Sequence, residues 1–291
     1  MLALQFLANG LLTGGVYALI AVSIVLIYKS TRIFNFAVGD LLTLGGFTSY
    51  SFVMWYRFPF WLAMLSTLIM AVFIGGLVER LVLRPLLSQP ILTIIMATLA
   101  LSSLLNALIL MIWSGYTVTF PPNLLPGKTL IISGIALSHD LLWSFSIAML
   151  SFVILAYFFK KTRTGLRMRS VSEASDLAMS CGVNIVFIYA ISWMIAVAMG
   201  CISGFLLGNR IGLTAGITPL VALRAFPAVL FGGLESVPGA VVGGLTIGII
   251  EGMVGGLIDP NLGEISPYII LLFMLIIRPE GLFGLKRIER I

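Results

Sequence analysis

The sequence predicts an all-α, polytopic transmembrane helical bundle with about nine membrane segments. Three observations carry this expectation. Sixty per cent of the 291 residues are hydrophobic, 10% are charged and the mean hydropathy is +1.14. A soluble domain carries roughly 25% charged residues, so this much apolar side chain cannot be hidden in a water-facing ball. The apolar runs are about 20 residues long, the length a helix needs to cross a bilayer, and they lack the alternation of barrel strands.

Nine segments follow in order, at 4–28, 36–54, 60–79, 91–113, 140–159, 185–208, 216–233, 238–258 and 266–278. The start "MLALQFLANG" has no basic region and reads as the beginning of the first span. The two shortest segments, 216–233 and 266–278, are the least secure crossings, and 216–233 is open to a re-entrant reading. Punctuation between segments is short except for two loops, 114–139 and 160–184. The latter carries Lys160, Lys161, Arg163, Arg167 and Arg169, which the positive-inside rule places in the cytoplasm. Counting spans outward puts 29–35, 80–90 and 279–291 on the same side. Thirteen of seventeen basic residues then lie inside, including Arg278, Lys286, Arg287 and Arg290. Arg57, Lys128 and Arg210 lie outside and Arg224 falls within a span. The N-terminus is expected outside and the C-terminus in the cytoplasm.

An internal repeat is expected. "IFNFAVGDLLTLGGF" (33–47) and "ALRAFPAVLFGGL" (222–234) share a polar residue, a Phe, small residues and a Gly-Gly pair, at Gly45-Gly46 and Gly232-Gly233. Each follows a long span, and the two spans run in opposite directions, the mark of an inverted repeat. The whole chain, 1–291, then reads as a single transmembrane domain: a first repeat at about 4–159, a cytoplasmic loop at 160–184 and a second repeat at about 185–278.

Polar residues in apolar surroundings mark the candidate sites. Asn35, Gly39 and Asp40 are poor helix-interior residues, so 29–40 reads as an interrupted helix start whose freed N–H groups point into the protein. The alternative is a plain N-cap by Asn35 or Asp40 at the water interface. In 218–244, Pro219, Pro227, Pro238 and the glycines point to a broken or re-entrant helix, or else to tight helix packing alone. The segment "SVSEASDLAMS" in the basic loop has helix-forming content, expected as one short helix over about 172–180. It is either a solvated loop or a docking helix for a cytoplasmic partner. Arg224 needs a partner at depth, where an unpaired Arg costs roughly 2.5–3.5 kcal/mol on insertion scales. At 1.5 Å per residue, Arg224 lies roughly 18 Å and Glu251 about 20 Å above the cytoplasmic face, with Asp40 at about 6–9 Å. Depth therefore pairs Arg224 with Glu251, unless 216–233 is re-entrant and leaves Arg224 at the outer surface. Cys181, Cys201 and His139 have no metal-ligand spacing, and no phosphate loop, HExxH or GxSxG occurs. No catalytic set, metal site or nucleic-acid surface is expected.

At "FNFAVGD", "EASDLAMSCGVN", "LRAFPAVLFGGLESVPGAVVGG" and "RPEGLFG" the sequence resembles the permease subunits of branched-chain amino acid ABC importers, whose relatives also carry urea and short amides. The resemblance runs from "GGVYALIA" at residue 14 to the "RPEGLFG" at 278, and the Gly-rich block and "RPEGLFG" are its most specific parts. It implies an importer subunit of the bacterial or archaeal inner membrane that works by alternating access. The implied partners are a second, related permease, two cytoplasmic ATPases and a periplasmic or surface binding protein. This chain would bind no cofactor, ATP and Mg belonging to the ATPases. The substrate pathway would be lined by Asn35, Phe36, Gly39, Asp40, Phe226, Gly232 and Gly233. ATPase coupling would fall on Arg167, Glu173, Ala174, Asp176 and Gly182. Ser175 replaces the second Ala of the family's Glu-Ala-Ala loop, Gly182 lies further along than usual, and Val38 stands where the family often has His. The alternative function is a stand-alone secondary transporter with inverted repeats, against which the scarcity of intramembrane acids counts.

Overall fold

The computed structural model describes residues 2–87, 89–121, 124–125, 127, 129–132, 135–216 and 218–284. Lys128 and the tail cations Lys286, Arg287 and Arg290 lie outside them. The chain is helical: α1 (Leu2–Thr31), α2 (Val38–Met54), α3 (Phe60–Val78), α4 (Ile91–Trp113), α5 (His139–Lys161), α6 (Arg163–Glu173), α7 (Ser175–Ser180), α8 (Ile185–Ile211), α9 (Thr218–Leu223), α10 (Ala225–Gly232), α11 (Val237–Leu257) and α12 (Pro260–Ile277). A small antiparallel hairpin, β1 (Leu130–Ile132) and β2 (Ile135–Leu137), sits in the loop before α5.

Seven helices are long and apolar enough to cross a membrane among the described residues, fewer than the nine segments expected. The two shortfalls have physical causes. α2 is 17 residues long and carries Asp40, Thr43, Thr48, Ser49 and Ser51. The 216–233 segment divides into α9 and α10, because Pro227 has no N–H for the Leu223 carbonyl and its ring crowds that oxygen. Together they cover residues 218–232, about 22 Å of helix against a hydrocarbon core of about 30 Å. Conversely α3 is longer than expected: it continues through a π turn (Glu79–Leu83) and a 3-10 turn to Leu86. Glu79, 1% exposed, is held there by Arg84 through Nη2–Oε2 at 2.9 Å and Nε–Oε1 at 3.3 Å.

α1 is the hub, with 89% of its apolar window buried against 17% for α12. It packs on α11, α8, α5 and α10. Glycines allow the approach. A Cβ on Gly14 would lie 2.9 Å from the Gly244 carbonyl oxygen, and one on Gly10 would lie 2.6 Å from the Gly248 oxygen. The same spacing, Gly10-x3-Gly14 against Gly244-x3-Gly248-x3-Gly252, is how apolar helices without a hydrophobic drive between them gain close van der Waals contact. α8 is the second hub and packs on α1, α2 and α3. Gly45 meets Cys201 of α8, and Gly46 lies 3.0 Å from the Gly204 oxygen as judged by a Cβ placed there.

Contacts at the two ends of the bundle fix the relative placement of the loops. At one end Gln5 Nε2 donates to the Ala136 carbonyl, Arg210 to Thr13, Asn209 to Asp140, and Val118 pairs with Leu213. At the other, Arg32 forms an ion pair with Glu235 and donates to the Ser172 carbonyl at 3.4 Å. The loop 160–184, the α10–α11 turn and the end of α1 therefore share one side.

Candidate functional site: two interrupted segments meeting inside the bundle

α1 ends at Thr31, Arg32 takes a positive φ of 57°, and residues 32–37 are non-helical. Asn35 is 1% exposed, and its Oδ1 accepts the Ala37 N–H at 3.0 Å. α2 then begins at Val38 with Ala37 as N-cap and no side-chain cap bond. Neither Asn35 nor Asp40 caps α2 from the interface. The Phe36 N–H faces Thr98 Oγ1 at 3.5 Å, and Thr98 lies seven residues into α4, about 10 Å from its start. Thus α2 starts at depth.

Asp40 is 4% exposed and is bound from α4. Ser102 Oγ donates to its Oδ2 at 2.5 Å and Asn106 Nδ2 to its Oδ1 at 3.4 Å, while the same Asn106 nitrogen donates to the Ala215 carbonyl at 2.8 Å. Thr98, Ser102 and Asn106 were not singled out from the sequence. Their signal is a four-residue spacing, which makes one polar stripe on an otherwise apolar helix.

The second interrupted segment enters from the opposite end. Leu213 is bridged to Val118, Thr218 Oγ1 accepts the Thr214 N–H at 2.9 Å, and α9 begins at Thr218. The two segments meet where Gly39 faces Pro219: a Cβ there would lie 2.9 Å from the Pro219 oxygen. Phe226 of α10 stacks on Phe34 with centroids 5.7 Å apart and on Phe36 at 6.4 Å. Asn35, Phe36, Gly39, Asp40 and Phe226 thus form one neighbourhood.

Gly232 and Gly233 lie elsewhere, at the α10–α11 turn. A Cβ on Gly232 would strike the Gly239 carbonyl, and Gly233, at φ +104°, abuts Gly284. The "RPEGLFG" stretch folds onto the end of α10, where the Leu282 N–H donates to the Phe231 oxygen at 2.9 Å and that of Phe283 to the Gly232 oxygen at 3.1 Å. It satisfies carbonyls that a helix end leaves open.

Arg224 is the turn residue between α9 and α10. Its Nη1 is 3.3 Å from Glu251 Oε1 of α11, and its Nη2 is 3.0 Å from Glu264 Oε1 of α12. The guanidinium therefore ties the break to two helices at once. The apolar segment at 266–278 leaves Glu264 outside the helix, but α12 starts at Pro260, capped by Asp259, and so includes it. The three charges line a cavity of about 570 Å³ together with Asn9, Tyr17 and Arg210.

The loop 160–184 is not one short helix over 172–180. α6 is capped by Thr162, whose Oγ1 accepts the Gly165 N–H at 2.9 Å; Ala174 is extended, and α7 follows. Ala174 breaks the helix because its φ of −152° and ψ of 93° belong to a strand. Met168, Val171 and Ala178 are buried with Ile188 of α8. Arg167, Glu173, Asp176 and Gly182 are exposed and Ala174 is half-buried. Gly182 makes the turn into α8 at φ +80°. No group of His, Cys, Asp or Glu among the described residues is disposed to hold a metal.

Residues 6–277 match the family described as "Branched-chain amino acid transport system / permease component". The chain belongs to this family. The permease is 26% identical to the high-affinity branched-chain amino acid transport system permease protein BraD of Pseudomonas aeruginosa over 99% of this chain and 98% of that one. It is also 26% identical to LivH of Salmonella typhimurium, over 99% of this chain and 97% of the relative. In fold it is similar to a chain of PsaBC from Streptococcus pneumoniae in complex with Fab, with a TM-score of 0.51 and 15% identity over 96% of the permease and 94% of that chain. The permease is thus a multi-pass membrane protein and a transport-system component.

Proposed function

We propose that the chain is the translocation subunit of an ATP-driven importer for branched-chain amino acids, paired with a second permease. Two ATPases holding ATP and Mg would power it, and an external binding protein would deliver the substrate. The relatives' transport system supports the substrate class. The observation that carries the mechanism is the meeting of the two interrupted segments at Gly39 and Pro219, beside Phe36, Phe226 and the Asp40–Asn106 pair. Irregular backbone at membrane depth is stable only where it is buried in protein or lines a wet path. Alternating access would then move α9–α10 against α2. The paired packing supports an inverted repeat: α1 on α11 parallels α8 on α3, and α2 on α8 parallels α10 on α1. The basic side of loop 160–184 supports a cytoplasmic location for it, with the N-terminus outside.

The test is reconstitution in proteoliposomes with the second permease, binding protein, external leucine and internal ATP. Concentrative uptake is expected only when the ATPase subunits are included. Uptake at the same level without them would overturn the reading in favour of a stand-alone transporter.

The coupling surface is the exposed edge around the Ala174 break, where Glu173 and Asp176 stand beside Leu177, 70% exposed. Glu173→Lys is expected to leave the assembled complex intact, to keep ATP hydrolysis and to lower uptake per ATP severalfold. An unchanged ratio of uptake to hydrolysis would remove Glu173 from the coupling surface.

A further inference from the structure

We infer that a groove formed by α1, α5, α6 and α11, at the end of the bundle that carries loop 160–184, is a binding site for one anionic phospholipid. The groove has a volume of about 490 Å³. Its wall is apolar, built by Phe152 and Leu155 of α5 and Val241 of α11. Its charged rim comes from three different helices: Lys29 of α1, Lys160 at the end of α5 and Arg169 of α6. No carboxylate among the described residues lines it. Glu173 and Glu235 act on Lys29 from outside the groove, and Glu235 is already engaged by Arg32. Lys29, Lys160 and Arg169 form no ion pair with another described residue.

Three converging cations over an apolar wall call for a ligand with an anionic head and an apolar tail. The geometry of α11 adds to the pull. Its first residues, Val237 and Pro238, line the groove, so the positive end of a 21-residue helix points the same way. Basic pockets between membrane helices bind phosphate-bearing headgroups on this pattern. Free phosphate would gain nothing from Phe152, Leu155 and Val241, whereas an acyl chain would replace bilayer contacts with protein ones. Ala156, exposed on the groove's edge, leaves room for such a chain. This inference goes beyond the transport reading and holds whatever the substrate.

The experiment is native mass spectrometry of the intact complex released from detergent doped with phosphatidylglycerol or phosphatidylcholine. One phosphatidylglycerol is expected to be retained where phosphatidylcholine is not. The Lys160→Gln/Arg169→Gln variant should weaken retention by about 25-fold, roughly fivefold per basic residue. The Lys161→Gln/Arg163→Gln variant removes the same charge outside the groove and should retain the lipid. Ala156→Trp, which fills the groove and changes no charge, should also lower retention. The proposal is overturned if both lipids are held equally, if neither is held, if the groove and control variants behave alike, or if millimolar inorganic phosphate displaces the lipid completely.

Discussion

Gly248→Leu is expected to abolish folding of this permease. A Cβ at Gly248 meets the Gly14 Cα and lies 2.6 Å from the Gly10 oxygen, all of it backbone on α1. Backbone cannot turn aside as the end of a flexible side chain can, so α1 and α11 must separate. Overpacking typically costs about 1–3 kcal/mol where neighbours can adjust; here the whole shared seam opens, and contacts at Gly10, Gly14 and Gly244 are lost together. The measurement is the monodisperse fraction on size exclusion after detergent extraction. A fall of at least tenfold is expected, with Gly248→Ala intermediate. Gly216→Ala, at a position where a Cβ would meet no described atom within 4 Å beyond its chain neighbours, should match the wild type. Wild-type behaviour of Gly248→Leu would show that the α1–α11 seam does not govern stability.

The second large effect concerns Arg224. Removing one partner from a fully buried ion pair costs about 3–5 kcal/mol. Arg224 and Glu251 retain 26% and 17% side-chain exposure and Glu264 retains 58%, so a fraction of that figure applies. Arg224→Glu sets three carboxylates around one cavity and should lower folded yield and uptake more than Arg224→Gln does. Glu251→Arg should also lose yield, with two guanidinium groups at the break and Glu264 left to serve both. The double swap Arg224→Glu/Glu251→Arg restores one opposite-charge pair and should regain part of the loss. Strictly additive losses in this cycle would mean that the two residues act independently.

The long spans were legible because apolar length is a direct requirement of the bilayer, and the breaks were legible near Asn35 and Pro227 because these residues oppose helix formation locally, although Gly39 and Asp40 fall in the first turn of α2 and not in the break. The partnership of Asp40 was not. It depends on Ser102 and Asn106 of α4 arriving beside α2, and nothing in either stretch alone sets that register. Depth counting put Arg224 and Glu251 at similar heights, since both sit on segments whose ends are marked; the 3.3 Å contact between them depends also on the break at Arg224, which counting along a straight helix does not describe. Glu264 escaped because α12 begins earlier than its apolar run does: Asp259 caps Asn261 and Leu262, drawing polar residues into the first turns. Likewise α3 outran its apolar run because Arg84 neutralises Glu79. The break at Ala174 has no local signal, since Ala is the best helix former; packing of Met168, Val171 and Ala178 against α5 and α8 sets it instead. Gly232 and Gly233 looked like their counterparts Gly45 and Gly46, yet they serve the α10–α11 turn and the seat of "RPEGLFG".

The central position of α1 bears on how the permease is made. α1 finishes more deeply enclosed than its main partner α11 and is made well before it, since residue 237 of α11 follows residue 31 by 206 positions. At about 5–20 residues per second, roughly 10–40 s pass before that partner exists. During this interval Gly10 and Gly14 of α1 lack the helix they pack on. A chain that stops between α5 and α8 leaves the same face uncovered, because Gly244, Gly248 and Gly252 of α11 are what close over it.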